Sequence, residues 1–494
     1  MRKGPGYFLD LFYFNYLSSA GIIKLIVINY INMALKKFPL PLRLKQMLGP
    51  SFIILALGLG SGEIILWPYL VSNYGLGVAW GAVLGITFQF FINMEIERYA
   101  LVKGESVFVG IARFLPRAGY WFILSTFIGF GLPGIVAASA QVLAFVFGME
   151  DFKWLAIGLL LLIGFILTFG RVIYSLMETI TKAVIFIGVP FIFVLAVYLS
   201  APDSWPVLAS GLIGRGEGFW FLAPGIAIAT FLGAFAYSGA GGNLNLTQSI
   251  YIKEKGYGMG HYSQKITGLF AHKGKVPAIK LEGESFAVTA ENVSRFKHWW
   301  RLINWEHLLV FWFIGSISMI MLMFLAYNTV FGLAGNAQGI NFVISEGVQI
   351  SSLINPFIGS IFLLVVGVML FQTQLGIMDS TSRIMSENAA IIQLRKTKNN
   401  KIKLSRLYYI FIWSQILFGV TLFLFNFYEP KTLIVLGAVI NAFAMLIHII
   451  LVTILNRRAL AKEFRPKAWR RVIIYTIIAF FAVFSAIVVK AQLF

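Results

Sequence analysis

The chain has 494 residues, 59% of them hydrophobic and 12% charged, whereas an ordinary soluble domain carries roughly a quarter charged residues; its solvent is lipid, and no stretch remains for a separate soluble domain. The formal net charge of +20 does not point to nucleic acid, because the Lys and Arg residues sit in short stretches between apolar runs and form no basic helical face or aromatic-interleaved stripe. With no cysteine there is no disulfide framework, no Cys-ligated zinc and no iron–sulfur cluster, and nothing implies a cofactor.

Residues 1–46 read as an N-terminal interfacial segment. Its apolar stretch, 7–33, is interrupted by Asp10, Asn15, Lys24, Asn29 and Asn32, and no small-residue cleavage site follows an unbroken apolar core; the alternative is one extra span. Eleven apolar runs follow, near 49–72, 76–101, 119–147, 153–169, 172–200, 222–254, 307–330, 355–389, 406–427, 431–455 and 471–490. Each is a candidate transmembrane helix, since about 20 residues cross the hydrocarbon. The expected fold class is an all-α integral membrane protein, with one membrane domain at 47–494. Within it lie a first repeat at 49–200, a second at 222–455, a loop at 256–306 and an extra helix at 471–490.

Lys and Arg accumulate on alternate connections: before span one (Lys36 to Lys45), after span two (Arg98 to Arg117), between spans six and seven (Lys253 to Arg301), between eight and nine (Arg395 to Arg406), and between ten and eleven (Arg457 to Arg471). Residues 329–355, on an intervening connection, contain neither. By the positive-inside rule the basic side is cytoplasmic, so the N-terminus is inside and the C-terminus outside. The absence of cysteine fits a bacterial plasma (inner) membrane. In the 256–306 loop, Gly256, Gly258, Gly260 and Pro277 break any helix, and Trp299, Trp300 and Trp305 beside Lys297 and Arg301 suit the headgroup layer.

Two spans are interrupted by glycine at corresponding places. Span one reads Leu57-Gly58-Leu59-Gly60-Ser61-Gly62-Glu63 and span six reads Tyr237-Ser238-Gly239-Ala240-Gly241-Gly242-Asn243. The two lie five spans apart, as expected if spans one to five and six to ten are two inverted repeats with discontinuous first and sixth helices. Glycine lets the backbone leave helical geometry, and freed carbonyl and N–H groups are tolerated at membrane depth only inside protein or beside a wet cavity. The bland alternative is close helix packing by small residues. Paired interruptions, each ending in a polar residue, favour a binding site built from Gly60, Ser61, Gly62, Glu63, Ala240, Gly241, Gly242 and Asn243.

Glu63 stands out because a carboxylate inside a span costs at least about 2.5 kcal/mol on insertion scales unless paired or hydrated. Lys and Arg being almost absent from the span centres, it reads as a cation ligand or proton carrier. Gln372 and Asp379 in span eight are seven residues apart, two turns on one face, where they can line a pathway; Asp379 is a second proton-coupling candidate. The other polar residues have simpler readings. Glu178 and Lys182 are spaced for a helical salt bridge, Glu95, Glu97 and Arg98 sit where interfacial solvation is cheap, and His448 reads as a packing residue.

At the two interruptions the sequence resembles the Nramp family of divalent-metal transporters, which share the inverted five-helix repeat of the leucine transporters. The resemblance runs from Gly49 to about Arg471. It is carried by Gly49-Pro50, by Gly60-Ser61-Gly62-Glu63 where the family has Asp-Pro-Gly-Asn, by Arg98 to Gly104, by Gly242-Asn243-Leu244 where the family has His-Asn-Leu, and by Asn456-Arg457-Arg458. The departures fall on the ligands: the family's metal-binding Asp is Gly60 here, its Asn is Glu63, its Met is Ala240 and its His is Gly242. The donors left are Glu63 and Asn243, backbone carbonyls around Gly60 and Ala240, and Gln372, a hard, oxygen-only set.

The expected function is secondary active transport of a divalent metal cation by alternating access, in symport with protons. The alternative is the same fold carrying a small organic solute such as an amino acid or carboxylate, bound by N–H groups of the half-helices. An intramembrane enzyme is disfavoured, because His-Glu-x-x-His, paired catalytic aspartates and Gly-x-Ser-x-Gly are all missing. The expected partners are the lipid bilayer, the small cation or solute, and the proton.

Overall fold

Each of the eleven apolar runs folds as helix in the computed structural model, which describes residues 35–42, 47, 49–169, 173–263, 280–397 and 402–493, with backbone alone at 173–178, 397 and 491–493. Most of the interfacial segment expected at 1–46, and the Glu178 side chain, lie outside the described residues. Among those residues, nine helical segments are long and apolar enough to cross a membrane. Lys153–Phe169, of 17 residues, and the interrupted sixth span complete the eleven.

Span one starts at Pro50, whose missing N–H is unpaired in any first turn. It runs as Pro50–Gly58, loosens into a π-helical turn over Ser61–Leu66 and resumes as Trp67–Tyr74. Pro68 accounts for the wide turn, since it donates no hydrogen bond and its ring crowds the carbonyl four residues back. Span six runs as Ile228–Ala236, breaks, passes through a 3-10 turn at Gly242–Leu246 and continues as Thr247–Lys255. Gly239, Gly241 and Gly242 have φ of +122°, +70° and +50°, a region that glycine enters without steric cost. Span three is also divided, into Ala118–Phe130 and Gly134–Val146 around Pro133.

The interrupted helices cross at their breaks. A Cβ on Gly58 would lie 2.6 Å from the Gly239 Cα, and one on Gly62 would collide with the Tyr237 carbonyl. The packing role of these glycines is therefore real and coexists with the breaks. Span two, Leu76–Lys103, packs against the second half of span six, while span ten, Pro430–Ala459, packs against the first. Span eight, Pro356–Thr397, lies along both halves of span three.

Span seven departs from expectation. It is continuous from Ala290 to Val330, so the loop expected at 256–306 ends at Thr289, whose hydroxyl caps the helix by accepting from the Asn292 N–H. The amphipathic extension turns Phe296, Trp299 and Ile303 inward. Trp299 is accordingly not a headgroup anchor; it is fully buried and donates to the Pro39 carbonyl at 3.0 Å. Trp300 lies under the Arg98 guanidinium at 3.9 Å, and Trp305 alone of the three is exposed. Together with span eleven, Ala468–Leu493, the extension covers Glu95, Glu97 and Arg98. These are buried rather than solvated, with Arg98 Nε paired to Glu95 at 2.7 Å.

Candidate functional site

Glu63 sits in the π-helical turn of span one. It is fully buried, and neither carboxylate oxygen has a hydrogen-bond partner among the described residues. The carboxylate faces span seven, where Gly315 follows a second π-helical turn, Leu308–Ile314; a Cβ built on Gly315 would stand 3.9 Å from Glu63 Oε1 and closer still to Ile86 and Leu55. An ionised carboxylate among such apolar neighbours is sustained only with a cation or water beside it.

The carbonyls freed where span one stops are taken by a residue that the sequence did not flag. Thr373 Oγ1 lies 3.0 Å from the Ala56 carbonyl and 2.8 Å from that of Leu59. The same hydroxyl fills the space beside Gly60, 2.7 Å from where a Cβ would stand. A carboxylate at position 60 has no room while Thr373 is present. Ser61 is buried beside it.

At the break in span six, Gln89 of span two bridges both sides, donating to the Ala236 carbonyl at 2.8 Å and accepting from the Gly241 N–H at 3.0 Å. Ala240 is buried and supplies no donor atom from its side chain. Asn243 donates to Ser125 and Thr126 of span three, at 2.8 and 3.0 Å, and keeps its Oδ1 unpartnered. The space a side chain at Gly242 would need is occupied by Asn441 of span ten. Asn441 donates to the Gly129 carbonyl and the Tyr237 hydroxyl, both at 2.8 Å, and its Oδ1 is also unpartnered.

The structure does not gather all the expected site residues. Glu63 faces span seven and Asn243 faces span three, and no group of three or more acidic or histidine residues converges as a metal site among the described residues. Gln372 turns to span five, donating to Thr181 at 3.1 Å; its neighbour Thr373 is the one at the break. Asp379 is no unattached proton carrier. It accepts from Arg383 Nε at 2.9 Å and from the Tyr408 hydroxyl at 2.6 Å. Arg383, in the basic-end half of span eight, is fully buried. His448 is buried, and neither ring nitrogen has a partner among the described residues.

Two voids of about 10 Å³ flank the breaks, one lined by Leu59, Met321 and Met369, the other by Gly129, Tyr237 and Gln374. Each has room for about one water. A larger cavity of about 540 Å³ opens at the end away from the basic loops, between Tyr74, Arg215 and Tyr327.

Neither a protein-family model nor a curated protein matches the chain. Solved structures do match its fold. A mutant form of the manganese transporter of Eremococcus coleocola superposes with a TM-score of 0.67 at 15% identity, over 90% of this chain and 86% of that one. MhsT, solved in complex with L-phenylalanine, superposes with a TM-score of 0.53 at 13% identity, over 89% and 97%. Identities this low carry the fold alone: two inverted five-helix repeats whose first and sixth helices are discontinuous.

Proposed function

We propose that this chain is a secondary active transporter that moves a small hard cation, coupled to protons, by alternating access around the breaks in spans one and six. The observation that carries the reading is Glu63, a fully buried carboxylate with no hydrogen-bond partner among the described residues, placed at the break of span one. The amide oxygens of Asn243 and Asn441 beside the break of span six, unpartnered among the described residues, are a separate set of oxygen donors. The shared fold with a manganese transporter supports a metal ion. An amino acid or carboxylate is the second reading, supported by the likeness to MhsT.

Uptake into liposomes by the purified protein tests this. Manganese, magnesium and calcium are compared with a panel of amino acids, with and without a pH gradient. Gradient-dependent uptake of a divalent cation is the expected result. Cadmium at equal concentration is expected to compete poorly with magnesium, since Ala240 removes the thioether that favours soft ions; cadmium outcompeting magnesium would refute the oxygen-only site. Uptake of amino acids alone would transfer the proposal to the second reading.

The basic end of the bundle is proposed as cytoplasmic, in a bacterial plasma membrane, with the N-terminus inside and the C-terminus outside. Cysteine labelling is clean because the chain has no cysteine. A single cysteine introduced within 329–355 is expected to react from outside the cell, and one within 395–406 only after permeabilisation. Reaction of the former from the cytoplasm alone would reverse the orientation.

A further inference from the structure

Span two carries Gln89, Asn93 and Glu97, each at most 1% exposed. The spacing of four residues places them on one helical face, and span two packs against span six. Gln89 holds the break of span six through Ala236 and Gly241. One turn toward the basic end, neither side-chain atom of Asn93 has a partner among the described residues, and Asn245 of span six is in the same state. A further turn on, Glu97 accepts from Gln248 Nε2 at 2.6 Å and lies 3.3 Å from His307 Nδ1.

Proton counting defines what this cluster can accept. Ser51 Oγ lies 2.5 Å from Glu306 and 2.8 Å from His307 Nδ1; when its one proton goes to an ionised Glu306, the ring nitrogen must carry the hydrogen of the second contact. The opposite nitrogen, Nε2, is buried and unpartnered, as is the second Glu97 oxygen, Oε2. The ring cannot turn away, being stacked on Phe311 at 4.6 Å and on Phe90 at 5.5 Å.

The neighbouring charges are accounted for. Glu306 faces the backbone amides of Gly49 and Ser51 at the start of span one, with Lys255 and Glu97 nearby. Arg98 and Arg470 pair with Glu95, at 2.7 and 3.5 Å. Arg470 bears on Glu97 only through space. Glu97 thus has a histidine and an amide in contact, and no Lys or Arg is seen salt-bridged to it among the described residues.

We propose that Glu97 and His307 form a proton-binding site at the basic end of span two, on the helical face that also carries Asn93 and, at the break of span six, Gln89. The site draws on the first turn of span one, the second half of span six and span seven, so its occupancy affects both interrupted helices. Its part in coupling rests on the transporter reading; its protonation does not.

Infrared titration of the whole protein in lipid tests protonation without any substrate. The wild type is expected to show a protonated-carboxyl band that disappears on alkalinisation, is lost in Glu97→Gln and remains in Glu63→Gln. In His307→Gln the band should persist with a shifted midpoint, which covers the case of a Glu97 variant that fails to fold. A titrating band unchanged in both Glu97→Gln and His307→Gln would overturn the site, and a band that responds to sodium but not to pH would replace the proton by sodium. In liposomes, Glu97→Gln is expected to abolish the pH dependence of cation uptake; unaltered pH dependence would overturn the coupling role. If the wild type transports no cation, the function proposed above fails while the infrared result still decides whether the proton site exists.

Discussion

Glu63→Gln is expected to lower gradient-driven uptake about a hundredfold or more while leaving expression, insertion and melting temperature near those of the wild type. Glu63 has no hydrogen bond to lose, and a neutral amide costs the bilayer less than a carboxylate, so the substitution does not strain the fold. What it removes is the one formal negative charge at the break of span one. Losing one member of a buried charge pair costs about 2–5 kcal/mol, and 1.4 kcal/mol is tenfold, so a cation that relies on Glu63 loses about two orders of magnitude. Radiolabelled manganese or calcium uptake at matched reconstitution density measures this. A Gln variant transporting at the wild-type rate with the wild-type pH dependence would show that Glu63 is neither ligand nor proton carrier.

The glycine clusters, the position of Glu63 and the order of the helices were legible in the sequence because they depend on local chemistry. Three glycines in alternation announce a backbone that leaves helical geometry, and a lone Glu in an apolar run has no local partner. Thr373, Ser125, Thr126 and Asn441 were not legible as site residues, since a single hydroxyl or amide in an apolar helix acquires meaning only from what packs on it. Thr373 matters because span eight brings it to the carbonyls of Ala56 and Leu59. The early start of span seven was hidden by Glu291, Arg295, Lys297 and Arg301, which lower the hydropathy of a segment whose other face is buried. That concealed extension is also what turns Glu95, Glu97 and Arg98 from surface charges into buried ones.

Arg383 is hidden in the sequence for a similar reason: a basic residue in the basic-end half of a long helix reads as interfacial until its partners are known. It is fully buried, with Nε 2.9 Å from Asp379 and Nη1 2.6 Å from Glu254 at the end of span six. Its guanidinium carbon lies 5.8 and 5.9 Å from the rings of Tyr251 and Tyr408. Arg383→Met keeps an unbranched apolar side chain but leaves two buried carboxylates facing each other. Breaking such a pair costs about 3–5 kcal/mol, so Arg383→Met is expected to be the more destabilising of the two substitutions, with a clear fall in melting temperature in detergent. Arg383→Lys should recover little, because one ammonium cannot reproduce two directed contacts from different nitrogens of a planar fork. Restoring neutrality is a different matter. The triple variant Arg383→Met, Asp379→Asn, Glu254→Gln removes both stranded charges and should regain most of the lost stability, a non-additivity that a mutant cycle detects. The result bears on transport too, because this cluster fastens the second half of span six to spans eight and nine, and any tilt of that half-helix must carry the cluster along or break it. If Arg383→Met melts with the wild type, or if the triple variant is no more stable than the single one, the buried charges are not what holds span six in place.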